Sequence, residues 1–251
     1  MSENNSRFNI KVEDMLEAGV HFGHLRSKWN PHMAPYIFME KNGIHLIDLN
    51  KSARKLEEAA FAVQNLARLG RKILFVATKK QAKEIVQEAA TKVGMPFVTE
   101  RWLGGMLTNF STVRKSIKKM STIDKMISDG TVNTLAKRER LMLGREREKL
   151  QKLLGGLDEG RLPAAIFIID IKKEHIAVAE ATKLGIPSFG IVDTNANPNI
   201  IDYPIPGNDD ATKSISYIMN VIVAAIEEGL NERRKNKESQ KDENPEKVAQ
   251  A

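Results

Sequence analysis

Residues 71–99, RKILFVATKKQAKEIVQEAATKVGMPFVT, hold a short apolar run, an amphipathic stretch and a second short apolar run. In the middle segment Ile85, Val86, Ala89, Ala90 and Val93 recur near the helical period, while the flanking runs have the length and composition of buried strands. The stretch therefore predicts one βαβ unit. The pattern returns at residues 164–192, AAIFIIDIKKEHIAVAEATKLGIPSFGIV, where Gly185 is placed to stop the helix and Pro187 to open the next strand. Upstream, residues 44–48 predict a strand and residues 52–69 a helix ended by Gly70. Downstream, residues 202–206 predict a strand, and GNDDATKSISYIMNVIVAAIEEG predicts a helix capped by Asp209 or Asp210 and ending at Gly229. Alternating strands and helices with near-continuously apolar strands imply an α/β fold whose mostly parallel sheet is covered on both faces.

One segment interrupts that alternation. Phe110, Val113, Ile117, Met120, Ile123 and Ile127 step by three and four up to the turn signal Ser128-Asp129-Gly130. Beyond it Leu143, Leu150 and Leu157 recur every seven residues, accompanied by Leu135, Met142 and Leu153. Two such stretches facing each other predict an inserted antiparallel helical hairpin with a coiled-coil-like seam. At about 1.5 Å per residue, a first helix of about 20 residues projects roughly 30 Å. The expected organisation is a discontinuous α/β domain of residues 1–108 and 156–230, a hairpin insertion at 109–155, and a charged, disordered tail at 231–251.

The net charge of +7 is concentrated in the same insertion. Residues 111–152 carry twelve Lys and Arg against five Asp and Glu, and the remaining 27 basic and 27 acidic residues cancel. A localised excess reads either as a footprint for a polyanion or as a helical hairpin whose charges merely face water. The chain has no cysteine, which excludes disulfides, thiolate metal sites and a cysteine nucleophile and fits a reducing cytoplasm. No apolar run approaches the roughly 20 residues needed to span a bilayer, and MSENNSRFNI lacks a signal-peptide core, so a soluble, cytosolic protein is expected.

Enzymatic signatures are missing where the fold would place them. The turn after the first strand of the βαβ unit, ILFVATKKQ, has no glycine to admit a pyrophosphate, and Gly104-Gly105 is not followed by the Gly-Lys-Ser/Thr of a P-loop. His21, His24, His32 and His45 lie within the first 45 residues and with Asp193 or Asp209 admit a metal site in principle, but HFGH has neither the helical HExxH arrangement nor a sulfur ligand and reads more naturally as a hydrogen-bonded structural turn. No catalytic set, metal or cofactor is assigned.

What remains is basic and aromatic: Arg26, Lys28, Trp29 and Asn30; Lys79 and Lys80; Arg101 and Trp102; and Arg114, Lys115, Lys118 and Lys119. Cationic side chains suit phosphates, and Trp and Asn suit unpaired bases, although each Trp is equally suited to core packing. Gly104 and Gly105 read as a sharp joint between the strand at 96–99 and the hairpin, capped by Thr108 or Asn109, across which backbone can approach a sugar-phosphate.

Four motifs, AGVHFGHLRSKWNPHMAPYIF, ERWLGGMLTNFSTVRKSIKKM, PAAIFIIDIKKEHIAVAEATKLGIP and IVDTNANPNIIDYPIPGNDDA, together resemble the family of bacterial small-subunit ribosomal protein number two, over about residues 8–229. The resemblance implies a Rossmann-like, flavodoxin-like domain with an inserted helical hairpin, bound between head and body of the small ribosomal subunit. It also implies contact with small-subunit ribosomal RNA and help in docking the large multi-repeat ribosomal protein that holds messenger RNA. Neither catalysis, a small-molecule substrate nor a membrane partner is implied.

Overall fold

The computed structural model describes residues 8–157 and 161–242. Five strands form a parallel sheet: β4 (Ile73–Val76), β5 (Phe97–Val98), β6 (Ala165–Ile169), β7 (Ser188–Val192) and β8 (Tyr203–Pro206), in the order β5-β4-β6-β7-β8. That is the flavodoxin-like order, and both predicted βαβ units are part of it. Its registers align Phe97 with Phe75, Phe75 with Phe167, Phe167 with Phe189 and Phe189 with Tyr203, so an aromatic row crosses all five strands. Because side chains alternate faces along a strand, this row and its i±2 neighbours define one face of the sheet.

On that face pack α1 (Val12–Glu17), α2 (Leu49–Arg68), α3 (Lys80–Lys92) and α7 (Thr212–Asp242), burying Leu56, Val63, Val86, Ile218 and Ile222 with Phe75, Phe167 and Phe189. The opposite face, with Leu74, Val76, Ile166 and Ile168, is covered by α6 (His175–Leu184) and by Trp102, Met106 and Leu107. Completely buried strands explain why β4, β6 and β7 read as unbroken apolar runs rather than alternating ones.

Several boundaries differ from the sequence reading. The strand expected at 44–48 exists as β3 (Ile44–Ile47), but it lies in a separate antiparallel sheet of order β1-β3-β2 with β1 (Phe22–Leu25) and β2 (Ile37–Lys41). Asp48 is the N-cap of α2, its carboxylate accepting from Asn50 N at 3.0 Å, so that helix begins earlier than residue 52. Gly70 and Gly185 close α2 and α6 with φ of 71° and 64°, the left-handed geometry expected of them.

Gly229 does not end α7, which continues to Asp242. A Cβ there would fall 2.4 Å from Gln64 O and 3.0 Å from Ala67 Cβ, so this glycine permits a close helix crossing with α2 rather than a stop. Gln64 Nε2 donates to Glu232 beyond the crossing, which ties the extension down. The expected disorder from residue 231 is therefore corrected through Asp242; residues 243–251 and 1–7 lie outside the described part. Asn208, not Asp209 or Asp210, closes the turn into α7: its Oδ1 accepts from the N–H of Asp210 at 2.8 Å and of Ala211 at 3.1 Å.

The insertion contains α4 (Phe110–Ser128) and α5 (Lys137–Leu154), joined through Gly130 at φ 72° and a short 3-10 turn. Asp124 accepts from Arg147 Nε at 2.6 Å, and Lys119 pairs with Glu146, so the two helices are bridged near their middle. Ile117 and Leu154 are buried at their root, Ile123 is buried further out along α4, and Ile127 and Met142 are exposed.

Candidate nucleic-acid interface

In an open parallel sheet the strand order reverses at a switch point, here between β4 and β6, and ligands favour the carboxyl ends of the strands there. The chain fills this position with its own charges. Lys79 Nζ lies 2.7 Å from Asp209 Oδ1, 2.6 Å from Asp210 Oδ1 and 3.4 Å from Asp170 Oδ2. Burial pulls the Lys79 pKa down, but the neighbouring carboxylates outweigh it and raise it. The same crowding acts oppositely on the acids: burial, Asp193 and Asp170 push Asp209 up to about 7 against the pull of Lys79. Lys79 is thus a counter-ion to an acidic cluster, and its proposed role as a phosphate ligand is corrected.

His24 reaches the same cluster from β1, with Nδ1 2.9 Å from Asp193 Oδ2 and Nε2 3.4 Å from Asp210 Oδ2. Its pKa is raised by the Asp193 hydrogen bond, against burial and with further help from the charges of Asp193, Asp209 and Asp210. His24, Asp209 and Asp210 present ligand atoms within 4.8 Å of one another and are the residues that could hold a divalent cation. Lys79 already supplies positive charge to two of them. Gly23 seats β1 on this end of the parallel sheet, since a Cβ on it would come within 2.6 Å of Thr194 Cγ2. A glycine-poor turn, an ion cluster buried at Asp193 and Asp209, and a sheet packed over it leave no dinucleotide cradle at the switch point among the described residues.

The Gly104-Gly105 loop is an anion cradle, and its anion is internal. Glu180 of α6, itself buried, accepts from Trp102 Nε1 at 3.1 Å, Gly105 N at 2.7 Å, Leu107 N at 3.0 Å, Thr108 N at 3.0 Å and Thr108 Oγ1 at 3.1 Å. Burial pushes the Glu180 pKa up, but the donors from Thr108, Gly105, Trp102 and Leu107 prevail and hold it below the usual carboxylate range. Asn109 occupies the N-cap position of α4 as expected, but its side chain accepts no capping hydrogen bond from the backbone, and the Glu180 carboxylate satisfies the backbone just ahead of the helix. Glu180 was missed in the sequence, where its one signal is a lone carboxylate inside the apolar stretch HIAVAEATKL.

The two glycines differ. Gly105 has φ 91° and a Cβ would sit 3.3 Å from Asn109 Cβ, whereas around Gly104, whose φ is not positive, a Cβ meets nothing within 4 Å. Gly105→Ala is expected to cost about 1–2 kcal/mol and Gly105→Val about 3 kcal/mol, because an L side chain is strained at that φ and β-branching aggravates it. Gly104→Ala should stay within about 0.5 kcal/mol of the parent. Denaturant melts of the three variants check this, and equal losses at both glycines would contradict it.

The remaining basic residues divide by exposure. Trp102, only 6% exposed, packs with Met106, Leu107, Ile117 and Leu154, so its expected role in stacking on bases is corrected to core packing. Arg101 beside it is exposed, as is Lys80 at the start of α3. Arg114, Lys115 and Lys118 are exposed on α4, and Lys119 is exposed while paired to Glu146. Arg26 and Lys28 are exposed in the segment after β1, Trp29 is 39% exposed, and Asn30 is half-buried with its Oδ1 accepting from His32 N. No helix among the described residues is long and apolar enough to cross a membrane.

Comparison with known proteins bears on this surface. The profile of a family described as ribosomal protein S2 matches residues 15–229. The chain is 63% identical over 233 residues to the small ribosomal subunit protein uS2 of Cytophaga hutchinsonii, covering 92% of each chain. It is 62% identical over 229 residues to the protein of that name from Parabacteroides distasonis, covering 91% of this chain and 82% of the relative. With that of Flavobacterium johnsoniae it shares 60% identity over 230 residues, 91% of each chain.

Proposed function

Since this chain belongs to the ribosomal protein S2 family, we propose that it binds small-subunit ribosomal RNA chiefly through the exposed cations of α4 and α5, as a structural constituent of the small ribosomal subunit. Proteins of this family are structural components of the cytoplasmic translation machinery rather than enzymes. The observation that carries the RNA reading is the location of the charge: the whole net +7 lies in residues 111–152, and Arg114, Lys115 and Lys118 face solvent there. Around this contact the reading places the protein between head and body of the subunit. There it helps dock the large multi-repeat ribosomal protein that holds messenger RNA. The paired helices act as a coiled-coil arm, and Arg101, Lys80, Arg26 and Lys28 add cations from the α/β domain.

Phosphate contacts of this kind release counterions. About five contacts on a duplex give a log–log slope of affinity against salt near −4 to −5, at roughly −0.9 per phosphate. A salt titration of the purified chain on small-subunit RNA should show this steep loss, and a flat response would remove the phosphate-based reading. A scaffold that used its arm only for an acidic protein would also be salt-sensitive. It would give no RNA crosslinks, so crosslinking separates the two.

A further inference from the structure

The segment after β1 carries an aromatic that folding has not consumed. Trp29 is 39% exposed, in contrast to Trp102 at 6%, and stands in a short turn with exposed Arg26 and Lys28 on its amino side. Its ring rests against that of His45 on β3, centroids 5.4 Å apart and planes tilted by 46°. His45 is 8% exposed, and neither of its ring nitrogens has a hydrogen-bond partner among the described residues. Buried polar groups are nearly always paired, so an imidazole left this way beneath a half-exposed indole points to a partner arriving from outside.

The charges lie on the same side. Glu40 is the register partner of His45 across β2 and β3, which puts their side chains on one face of the small sheet. Arg26 Nη1 reaches Glu40 Oε2 at 3.4 Å while remaining 71% exposed, a surface pair weak enough for a phosphate to compete with. Asn30 donates its backbone N–H to Thr194 O at 2.8 Å, anchoring the turn so that the indole is presented rather than left free to collapse.

We propose that Trp29 is a stacking platform for one unpaired nucleobase of an RNA strand, with Arg26 and Lys28 taking the flanking phosphates and His45 forming the underside that a base edge or ribose hydroxyl reaches as the indole shifts. The inference rests on the RNA-binding reading above and adds a second contact of a different kind. The arm offers charge alone, which suits duplex phosphates, whereas an aromatic face flanked by cations selects single strands. A purely apolar docking surface for protein would not need two exposed cations beside its free aromatic, and Arg26 and Lys28 favour the nucleic acid.

The test uses the full-length chain with a single-stranded RNA octanucleotide and a duplex of the same length. In the parent, the single strand should quench tryptophan emission and the duplex, whose bases are already stacked, should not. Trp29→Ala should lose the quenching and weaken single-strand binding about tenfold, and Trp29→Tyr, which keeps a ring, should recover most of that affinity. If the parent binds neither RNA, this inference falls together with the RNA-binding reading. If both RNAs bind with the steep salt dependence but Trp29→Ala binds the single strand like the parent, only the platform is overturned. Unchanged RNA affinity combined with failure of Trp29→Ala to enter small subunits would identify a protein-docking surface and overturn it equally.

Discussion

With Glu180→Ala the chain is expected to lose about 3–5 kcal/mol of stability, because four buried or half-buried N–H donors and one hydroxyl lose their shared acceptor at once. Water entering the emptied site recovers part of this, which keeps the loss below the sum of five separate bonds. Glu180→Gln keeps one oxygen but turns an NH2 towards donors, and about 2–3 kcal/mol is expected. The pH dependence identifies the cause. A carboxyl whose folded pKa is held below its ordinary 4.5 contributes stability fully above that value and loses it as pH falls through the folded pKa. The gap between parent and Glu180→Gln should therefore be constant from pH 6 to 7 and close progressively below about 4.5. A gap that persists unchanged in acid would mean that Glu180 acts by volume rather than by charge.

Shortening the insertion has the second large effect, on binding instead of folding. The root of α4 and α5 belongs to the core: Ile117 and Leu154 are buried with Trp102, Met106 and Leu107, and Gly156 O accepts from Phe97 N at 2.8 Å beside β5. Replacing residues 121–147 by a short Gly-Ser linker leaves those contacts in place and should leave one cooperative unfolding transition. It removes Lys125, Lys137, Arg138, Arg140, Arg145 and Arg147 together with Asp124, Asp129, Glu139 and Glu146, a net loss of two positive charges, and keeps Arg114, Lys115 and Lys118, so RNA affinity should fall about tenfold at low salt, with a salt slope shallower by the number of phosphates lost. Cutting from residue 110 to 155 instead removes Ile117 and Leu154 and should cost a further few kcal/mol, roughly that of large-to-small core changes. Loss of cooperativity with the shorter deletion would show that the distal arm is part of the core.

The parallel sheet was legible because buried strands announce themselves as short apolar runs. The helices between them were legible because their burial has a period of 3.6. The small antiparallel sheet was not: β2 is exposed along most of its length and β1 is interrupted by Gly23, so neither carries a periodic signal. Gly229 misled because a glycine at a helix end and a glycine at a helix crossing look alike until the partner helix is known. At the candidate site, exposure decided what residue type could not. Arg114, Lys115 and Lys118 face solvent, whereas Lys79 and Trp102, equally suitable by chemistry, are held by partners 130 and 78 residues away in sequence. Glu180 was hidden for the same reason, since its five donors lie 72 to 78 residues away.

The most direct measurement is sedimentation of small ribosomal subunits assembled with the full chain in competition with the chain lacking residues 121–147 and carrying Arg114→Ala, Lys115→Ala and Lys118→Ala. The full chain should co-sediment with the subunit at low salt and be released as salt is raised, while the shortened chain, still folded, is outcompeted. Equal recovery of both chains in the subunit peak would contradict the claim that the charged arm is the principal RNA contact, and absence of both would contradict a place in the subunit altogether.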